Sequence, residues 1–165
     1  MSLPPYLVFP VITSDKIILR EVSEADLKDI LEIQFYDGVA ADTMEEGKEM
    51  LAKINRNYRD GDSIHWGIAD QATNQLVGTL GYYRSFKENT GELGCVLLAQ
   101  FRGQGFMSRA MELVINYGFS TMQLDRIIAI TTTHNAAAVK LLEGLGFFKT
   151  RYLEDNEVKF EVKRK

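Results

Sequence analysis

The residues with the clearest chemical potential lie in one short segment, Gln100-Phe101-Arg102-Gly103-Gln104-Gly105, between a strand-like and a helix-like stretch. Glycine has no Cβ, so the backbone N–H groups beside it can come close to a ligand. The first turn of the following helix adds unpaired N–H donors and about half a positive charge. The segment therefore predicts an anion cradle; the alternative is a tight turn that binds nothing. The predicted members of the cradle are Arg102, Gly103, Gln104, Gly105, Phe106 and Met107.

The residues that are missing from this segment narrow the kind of anion. A dinucleotide-binding turn would carry a third glycine where this chain has Ser108, and an acidic residue at the end of the next strand. A P-loop would carry Lys followed by Ser or Thr at the helix start, where this chain has Phe106 and Met107. A nucleotide-binding domain is therefore disfavoured.

Two motifs resemble those of the GCN5-related N-acetyltransferase (GNAT) family. Gln100-x-x-Gly103-x-Gly105 resembles the family's acetyl-CoA pyrophosphate loop. Asn135-x-x-Ala138-x-x-Leu141, followed by Gly146-Phe147, resembles a later motif in which the Asn faces the pantetheine arm.

Further motifs resemble the GNAT branch that includes the ribosomal-protein-alanine N-acetyltransferases. These motifs are Ile18-Leu19-Arg20 followed by Glu24-Ala25-Asp26, then Val77-Gly78-Thr79 and Glu92-Leu93-Gly94. With the two motifs above, the resemblance covers roughly residues 16–163.

The resemblance implies an enzyme with acetyl-CoA as co-substrate that transfers the acetyl group directly to a primary amine. The acceptor would be a protein or peptide N-terminus or a small-molecule amine. The alternative is an acyl-CoA-binding sensor or scaffold with little or no turnover. Two departures motivate this alternative: Leu142 stands where many members carry a Tyr as general acid, and Ala138 where the ribosomal-protein branch often has Ser.

Acyl transfer to an amine requires a neutral amine and a donor for the developing oxyanion, which identifies candidate catalytic residues. Glu92 is the first candidate base, with a surface glutamate as the alternative, and His65 and Tyr83 are weaker candidates. If the strand separates from its neighbour after Glu92, the backbone N–H groups near Leu97 or Leu98 are free to donate to the thioester carbonyl.

Three further residues have simpler expected roles. Asn135 is expected to cap the helix that it opens and also to contact the cofactor, since the two roles use different atoms. His134 is expected to cap or face solvent. Cys95 is expected to be a small buried apolar residue on the strand that faces the thioester.

The hydrophobic periodicity predicts an α/β fold with a mixed sheet and the order βααβββαβαββ. The family resemblance implies a mostly antiparallel central sheet flanked by helices. The predicted strands cover 16–20, 65–69, 75–83, 92–98, 126–131, 147–148 and 158–162. The predicted helices begin after Ser23, Thr43, Gly105 and Asn135.

Composition limits the function classes. The 165 residues fit a single acetyltransferase domain, 1–165, and the net charge of −4 argues against nucleic acid as the main partner. One Cys and two His form no disulfide pair and no zinc pattern. With no signal peptide and no long apolar run, we expect a cytoplasmic protein without a membrane partner. The expected oligomeric state is a monomer or a homodimer.

Overall fold

The computed structural model describes residues 3–165 and contains ten strands and four α-helices within that range. The strands are β1 (Ile12–Thr13), β2 (Ile17–Arg20), β3 (Phe35–Tyr36), β4 (Val39–Ala40), β5 (Ile64–Asp70), β6 (Leu76–Tyr83), β7 (Thr90–Leu97), β8 (Arg126–Thr132), β9 (Phe148–Tyr152) and β10 (Glu157–Lys163). The helices are α1 (Leu27–Ile30), α2 (Met44–Arg59), α3 (Phe106–Ser120) and α4 (Ala136–Gly144).

Eight strands form one sheet in the order β1-β2-β5-β6-β7-β8-β10-β9, and β3 and β4 form a separate two-stranded ribbon. Neighbours in the large sheet are antiparallel except β7 and β8, which are parallel. The predicted mixed α/β fold with a mostly antiparallel sheet is therefore confirmed.

The parallel contact between β7 and β8 is short. Only Thr90, Glu92 and the residue between them pair with β8, although β7 continues to Leu97. Beyond Glu92, β7 stays with β6 and β8 stays with β10, whose pairing extends over all of β8. The two strands therefore separate into a V-shaped gap beyond Glu92.

One arginine joins the elements at the closed end of this gap. The side chain of Arg126, at the start of β8, donates from Nε to Thr90 Oγ1 at 2.8 Å. Its two terminal nitrogens lie 3.2 Å from Glu88 Oε2 and 3.5 Å from Glu161 Oε1. The arginine thus connects β7, β8, β10 and the turn before β7 at the point where the parallel pairing begins.

The predicted first helix is only partly confirmed. Ser23 and Asp26 do form the expected capping interaction, with the Ser23 N–H donating to Asp26 Oδ2 at 2.8 Å. The helix, however, breaks near Ile30, whose φ of −120° and ψ of 11° are not helical. Phe35, five residues further along the chain, starts the β3–β4 ribbon and is 48% exposed.

The second helix begins as predicted. Thr43 Oγ1 accepts from the Glu46 N–H at 3.1 Å, and Glu46 Oε2 lies 3.3 Å from the Asp42 N–H. The acidic residues Asp42, Glu45 and Glu46 therefore lie at the start of α2, where their negative charge suits the positive end of the helix.

Helix α3 packs against the sheet through a buried tyrosine. Tyr82, on β6, is fully buried and donates from its hydroxyl to the Val114 carbonyl at 2.7 Å. A Cβ at Gly118 would lie only 2.5 Å from the Tyr82 hydroxyl oxygen, so glycine is needed at this position for the hydroxyl to reach the helix. This contact fixes α3, and hence its N-terminus, relative to the strands.

Among residues 3–165, no helix is both long and apolar enough to cross a membrane.

We predict that Tyr82→Phe lowers the free energy of unfolding by about 1–2 kcal/mol, because a buried hydrogen bond is lost while the ring stays. Urea denaturation followed by circular dichroism measures the change. Tyr152→Phe removes the hydroxyl of a tyrosine that is 65% exposed and should change stability much less. Equal effects of the two substitutions would contradict this role for Tyr82.

Candidate active site

The loop between β7 and α3 has the geometry expected of an anion cradle. Gly103 and Gly105 have φ angles of +75° and +85°, a region that favours glycine. Gly105 is also the N-cap of α3 and has no side chain with which to cap it. The first helical hydrogen bond runs from the Arg109 N–H to the Gly105 carbonyl at 3.2 Å.

The donors of this loop are largely unused within the described chain. The N–H groups of residues 106–108 precede the first helical hydrogen bond and therefore have no partner in the helix. Within residues 3–165, the N–H groups of residues 103–105 also have no hydrogen-bond acceptor. Six neighbouring N–H groups thus surround the positive end of a 15-residue helix.

The structure corrects the prediction for Arg102. Its backbone N–H donates to the Ala99 carbonyl at 3.2 Å, so this N–H is not free for a ligand. Its exposed side chain turns back, with Nη2 3.5 Å from the Leu97 carbonyl. The residue keeps its charge near the loop, but the free N–H groups begin at Gly103.

The oxyanion prediction is also corrected for one of its two residues. The prediction that Leu98 offers a free N–H is wrong, because this group donates to the Val77 carbonyl of the neighbouring segment at 2.9 Å. N–H directions alternate along an antiparallel strand, so the Leu97 N–H points the opposite way, into the gap left by β8. Leu97 therefore remains as a candidate donor.

A cleft of about 1020 Å³ lies on the face of β5, β6 and β7 that is opposite α3, next to the β3–β4 ribbon. Glu92 lines the cleft together with Val96, because residues four apart in a strand lie on the same face. The Glu92 carboxylate is 21% exposed and lies 3.4 Å from Arg84 Nη1. The carboxylate is therefore reachable from the cleft and is paired with an exposed arginine.

His65 and Tyr83 lie in the same cleft and are hydrogen bonded to each other. His65 Nδ1 is 2.8 Å from the Tyr83 hydroxyl, and His65 Nε2 is buried without a hydrogen-bond partner within residues 3–165. Burial lowers the pKa of His65 to about 4 and raises the pKa of Tyr83 above its ordinary value, so both groups are neutral at pH 7.

Tyr83 depends on a glycine in the next strand. A Cβ at Gly94 would lie 3.0 Å from Tyr83 Cε2, so the tyrosine ring covers this part of β7. Tyr83 is also the direct cross-strand partner of Glu92. The two candidate proton-transfer groups therefore stand side by side.

Cys95 is exposed, which contradicts the expectation of a buried apolar residue. It lies on the part of β7 from which β8 has separated, so no strand covers it there. Its Sγ is 3.9 Å from Met111 Sδ on α3. The residue as a whole is exposed, but burial of its sulfur atom raises the pKa of the thiol to about 12, so Cys95 is protonated at pH 7.

The predicted cap of α4 is confirmed. Asn135 Oδ1 accepts from the Ala138 N–H at 3.1 Å, which leaves the side-chain amide nitrogen for another partner. Leu142, on the same helix, is 4% exposed and packs in the core with Phe147. This helix therefore carries an apolar side chain, and no acid, at position 142.

Comparison with known proteins identifies the family. A model of the GNAT acetyltransferase domain matches residues 16–148. The chain belongs to the GNAT acetyltransferase family. It is therefore an N-acetyltransferase by family, and GNAT enzymes in general use acetyl-CoA.

Individual relatives agree with the family assignment. The uncharacterized N-acetyltransferase YoaA of Bacillus subtilis is 31% identical over 150 residues, covering 86% of this chain and 85% of YoaA. The ribosomal-protein-S5-alanine acetyltransferase of Vibrio fischeri has a similar fold, with a TM-score of 0.77, 20% identity and coverage of 94% of this chain and 97% of that one. The spermidine N-acetyltransferase of Vibrio cholerae matches with a TM-score of 0.78, 17% identity and coverage of 92% and 95%.

Sequence reasoning missed two charged residues at this GNAT site. Arg84 pairs with Glu92 across the edge of the cleft. Lys16, just before β2, places its Nζ 4.8 Å from the centre of the Phe106 ring, beside the cradle. No local motif points to either residue, because each reaches the site only through strand pairing.

We predict that His65 makes the stability of the protein depend on pH. Below pH 6.5 the imidazole of the unfolded chain binds a proton, whereas the imidazole of the folded protein, with a pKa of about 4, stays neutral. The stabilisation that is present above pH 6.5 is therefore lost as the pH falls toward 4. The expected loss from this group between pH 7 and pH 5 is about 2 kcal/mol.

Urea unfolding at several pH values measures this dependence. His65→Gln should flatten it between pH 7 and pH 5, whereas His134→Gln, at an exposed position, should leave it as in the wild type. An unchanged slope in His65→Gln would show that the histidine is not held neutral.

Proposed function

We propose that this chain binds acetyl-CoA in the gap between β7 and β8 and transfers the acetyl group directly to a primary amine in the cleft on the opposite face. The observation that carries the proposal is the gap itself, which ends at the unused N–H groups of the β7–α3 loop. We treat residues 1–165 as one acetyltransferase domain. A cytoplasmic location and a monomeric or homodimeric state stay predictions.

The cradle residues fit the pyrophosphate of acetyl-CoA. The N–H groups of Gly103, Gln104, Gly105, Phe106 and Met107 would donate to the phosphate oxygens, since helix N-termini bind anions in this way. The side chain of Arg102 would add charge. The pantetheine arm would then lie along the gap, toward the free amide nitrogen of Asn135.

The thioester would lie beside the end of β7. The Leu97 N–H points into the gap and would donate to the thioester carbonyl as negative charge develops on its oxygen. A donor of this kind contributes about 3–4 kcal/mol to the stabilisation of the transition state. The acceptor nitrogen attacks the carbonyl carbon, the C–S bond breaks, and the electron pair leaves on the thiolate.

Glu92 is the proposed base that takes the proton of the amine, directly or through water. An α-amine with a pKa near 8 costs roughly 1.4 kcal/mol to deprotonate at pH 7, and a lysine with a pKa near 10.4 roughly 4.6 kcal/mol. A weak base therefore suffices for an α-amine. The adjacent pair of His65 and Tyr83, neutral at pH 7, would line the path of the acceptor.

Leu142 does not act as a general acid, because its side chain is apolar and buried. A thiol with a pKa near 8.5 leaves tolerably well as a thiolate at pH 7, and the missing acid costs roughly a hundredfold or less. Water from the open gap would supply the proton.

The acceptor is proposed only as a primary amine. The structural neighbours named above include an alanine acetyltransferase of a ribosomal protein and a spermidine acetyltransferase, and at 20% and 17% identity they indicate the fold alone. The cleft is lined by both signs of charge, with Asp37, Asp62 and Glu92 against Arg84 and Lys87.

Release of CoA thiol from acetyl-CoA tests the proposal. Peptides with free N-termini, polyamines, amino acids and aminoglycosides are compared as acceptors, and at least one class should accelerate release while an N-acetylated analogue should not. CoA binding without acceleration by any amine would favour the alternative, a binding module without turnover.

We predict that Glu92→Gln lowers kcat by roughly a hundredfold at pH 7 and leaves the Kd for CoA nearly unchanged, because the base acts on the amine. Glu112→Gln is the matched control, since it breaks a comparable ion pair with Arg109 outside the cleft. Full activity of Glu92→Gln with the best acceptor would remove Glu92 from the mechanism.

A further inference from the structure

Lys16 brings a cation to the cradle from a distant part of the chain. The Nζ lies over the Phe106 ring, 4.8 Å from its centre. A Cβ built on Gly105 would be 4.0 Å from the same nitrogen. The lysine charge therefore stands at the first turn of α3, beside the residue that caps it.

The backbone around Lys16 is fixed from two sides. Its N–H lies 3.3 Å from Ser14 Oγ, and its carbonyl accepts from the Gln71 N–H at 3.0 Å. The next residue, Ile17, is fully buried in the core. The half-buried Lys16 side chain therefore loses little further conformational freedom when it binds an anion at this position.

The face of the Phe106 ring attracts the Lys16 ammonium group, whereas the adjacent end of α3 opposes it. The N-terminus of a helix carries partial positive charge, so a cation there is repelled. The first turn of α3 contains no acidic residue, and none of the described carboxylates lies within 4.0 Å of the Lys16 ammonium group. An anion on the free N–H groups would relieve this repulsion and pair with the lysine.

We propose that Lys16 binds the pyrophosphate of acetyl-CoA, as the cation of the cradle on the β2 side. The inference rests on the proposed function, and it adds a residue that lies outside the glycine loop and its helix. Arg102 is less well placed for this role, because its guanidinium group turns back toward the Leu97 carbonyl.

Calorimetric titration with CoA tests the inference without any need for turnover. Lys16→Gln should raise the Kd for CoA roughly tenfold to a hundredfold, the range of a charge-assisted hydrogen bond. Lys16→Arg should restore most of the affinity. Lys28→Gln, which makes the same charge change on the exposed side of α1, should bind like the wild type.

Dephospho-CoA separates the two phosphate positions, since it keeps the pyrophosphate and lacks the 3′-phosphate. Lys16→Gln should weaken binding of dephospho-CoA by the same factor as binding of CoA. A loss seen with CoA alone would assign the lysine to the 3′-phosphate and overturn the inference, as would wild-type affinity of Lys16→Gln for both ligands.

Thermal melting distinguishes a binding role from a structural one. Without ligand, Lys16→Gln should have a melting temperature close to that of the wild type. Addition of CoA should raise the melting temperature of the variant less than that of the wild type. A lower melting temperature of the free protein with an unchanged CoA-induced rise would overturn the inference. If the wild type itself binds no CoA, the proposed function fails as well, whereas a failure confined to Lys16→Gln leaves that function standing.

Discussion

The short parallel pairing between β7 and β8 is the constraint on which the site depends. Each strand has a longer antiparallel partner on its other side, β6 for β7 and β10 for β8, and each follows that partner after Glu92. Arg126, itself on β8, holds the closed end by bonding to groups on β7 and β10. A gap open to one end is the result, and it leaves backbone donors of β7 without a sheet partner.

Strand β7 offers groups to both the gap and the cleft, because successive groups along a strand point in alternate directions. Side chains at Glu92 and Val96 face the cleft, while the Leu97 N–H lies in the plane of the sheet and points into the gap. The proposed base and the proposed oxyanion donor are thus fixed by one backbone. Burial of the hydroxyl of Tyr82 against α3 then sets the helix end, and with it the cradle, relative to this strand.

The charges near the β7–α3 loop matter more for anion binding than the net charge of the protein. The chain carries a net charge of −4, yet the β7–α3 loop offers six free N–H groups, a helix end and two nearby cations, Lys16 and Arg102. Electrostatic interactions over a few ångströms outweigh a small net charge that salt screens over about 8–10 Å. An acidic protein can therefore bind a polyanionic co-substrate.

Local features were predictable from the sequence alone. The caps at Thr43 and Asn135, the glycine loop before α3 and the order of the main elements all follow from contacts between residues near one another in the chain. The break in the first helix was not predictable in this way, because its apolar spacing suits a longer helix while the fold places Phe35 in a ribbon at the cleft.

The tertiary structure decided what depends on pairing between distant segments. Leu98 and Leu97 look alike in sequence, and only the register with β6 determines that the first donates to Val77 and the second faces the gap. The exposure of Cys95 depends on the departure of β8. The sequence by itself thus indicated the family, most of the elements and the glycine loop before α3. Strand register and separation decided which donors are free and brought Lys16 to that loop, because such long-range contacts leave no local pattern.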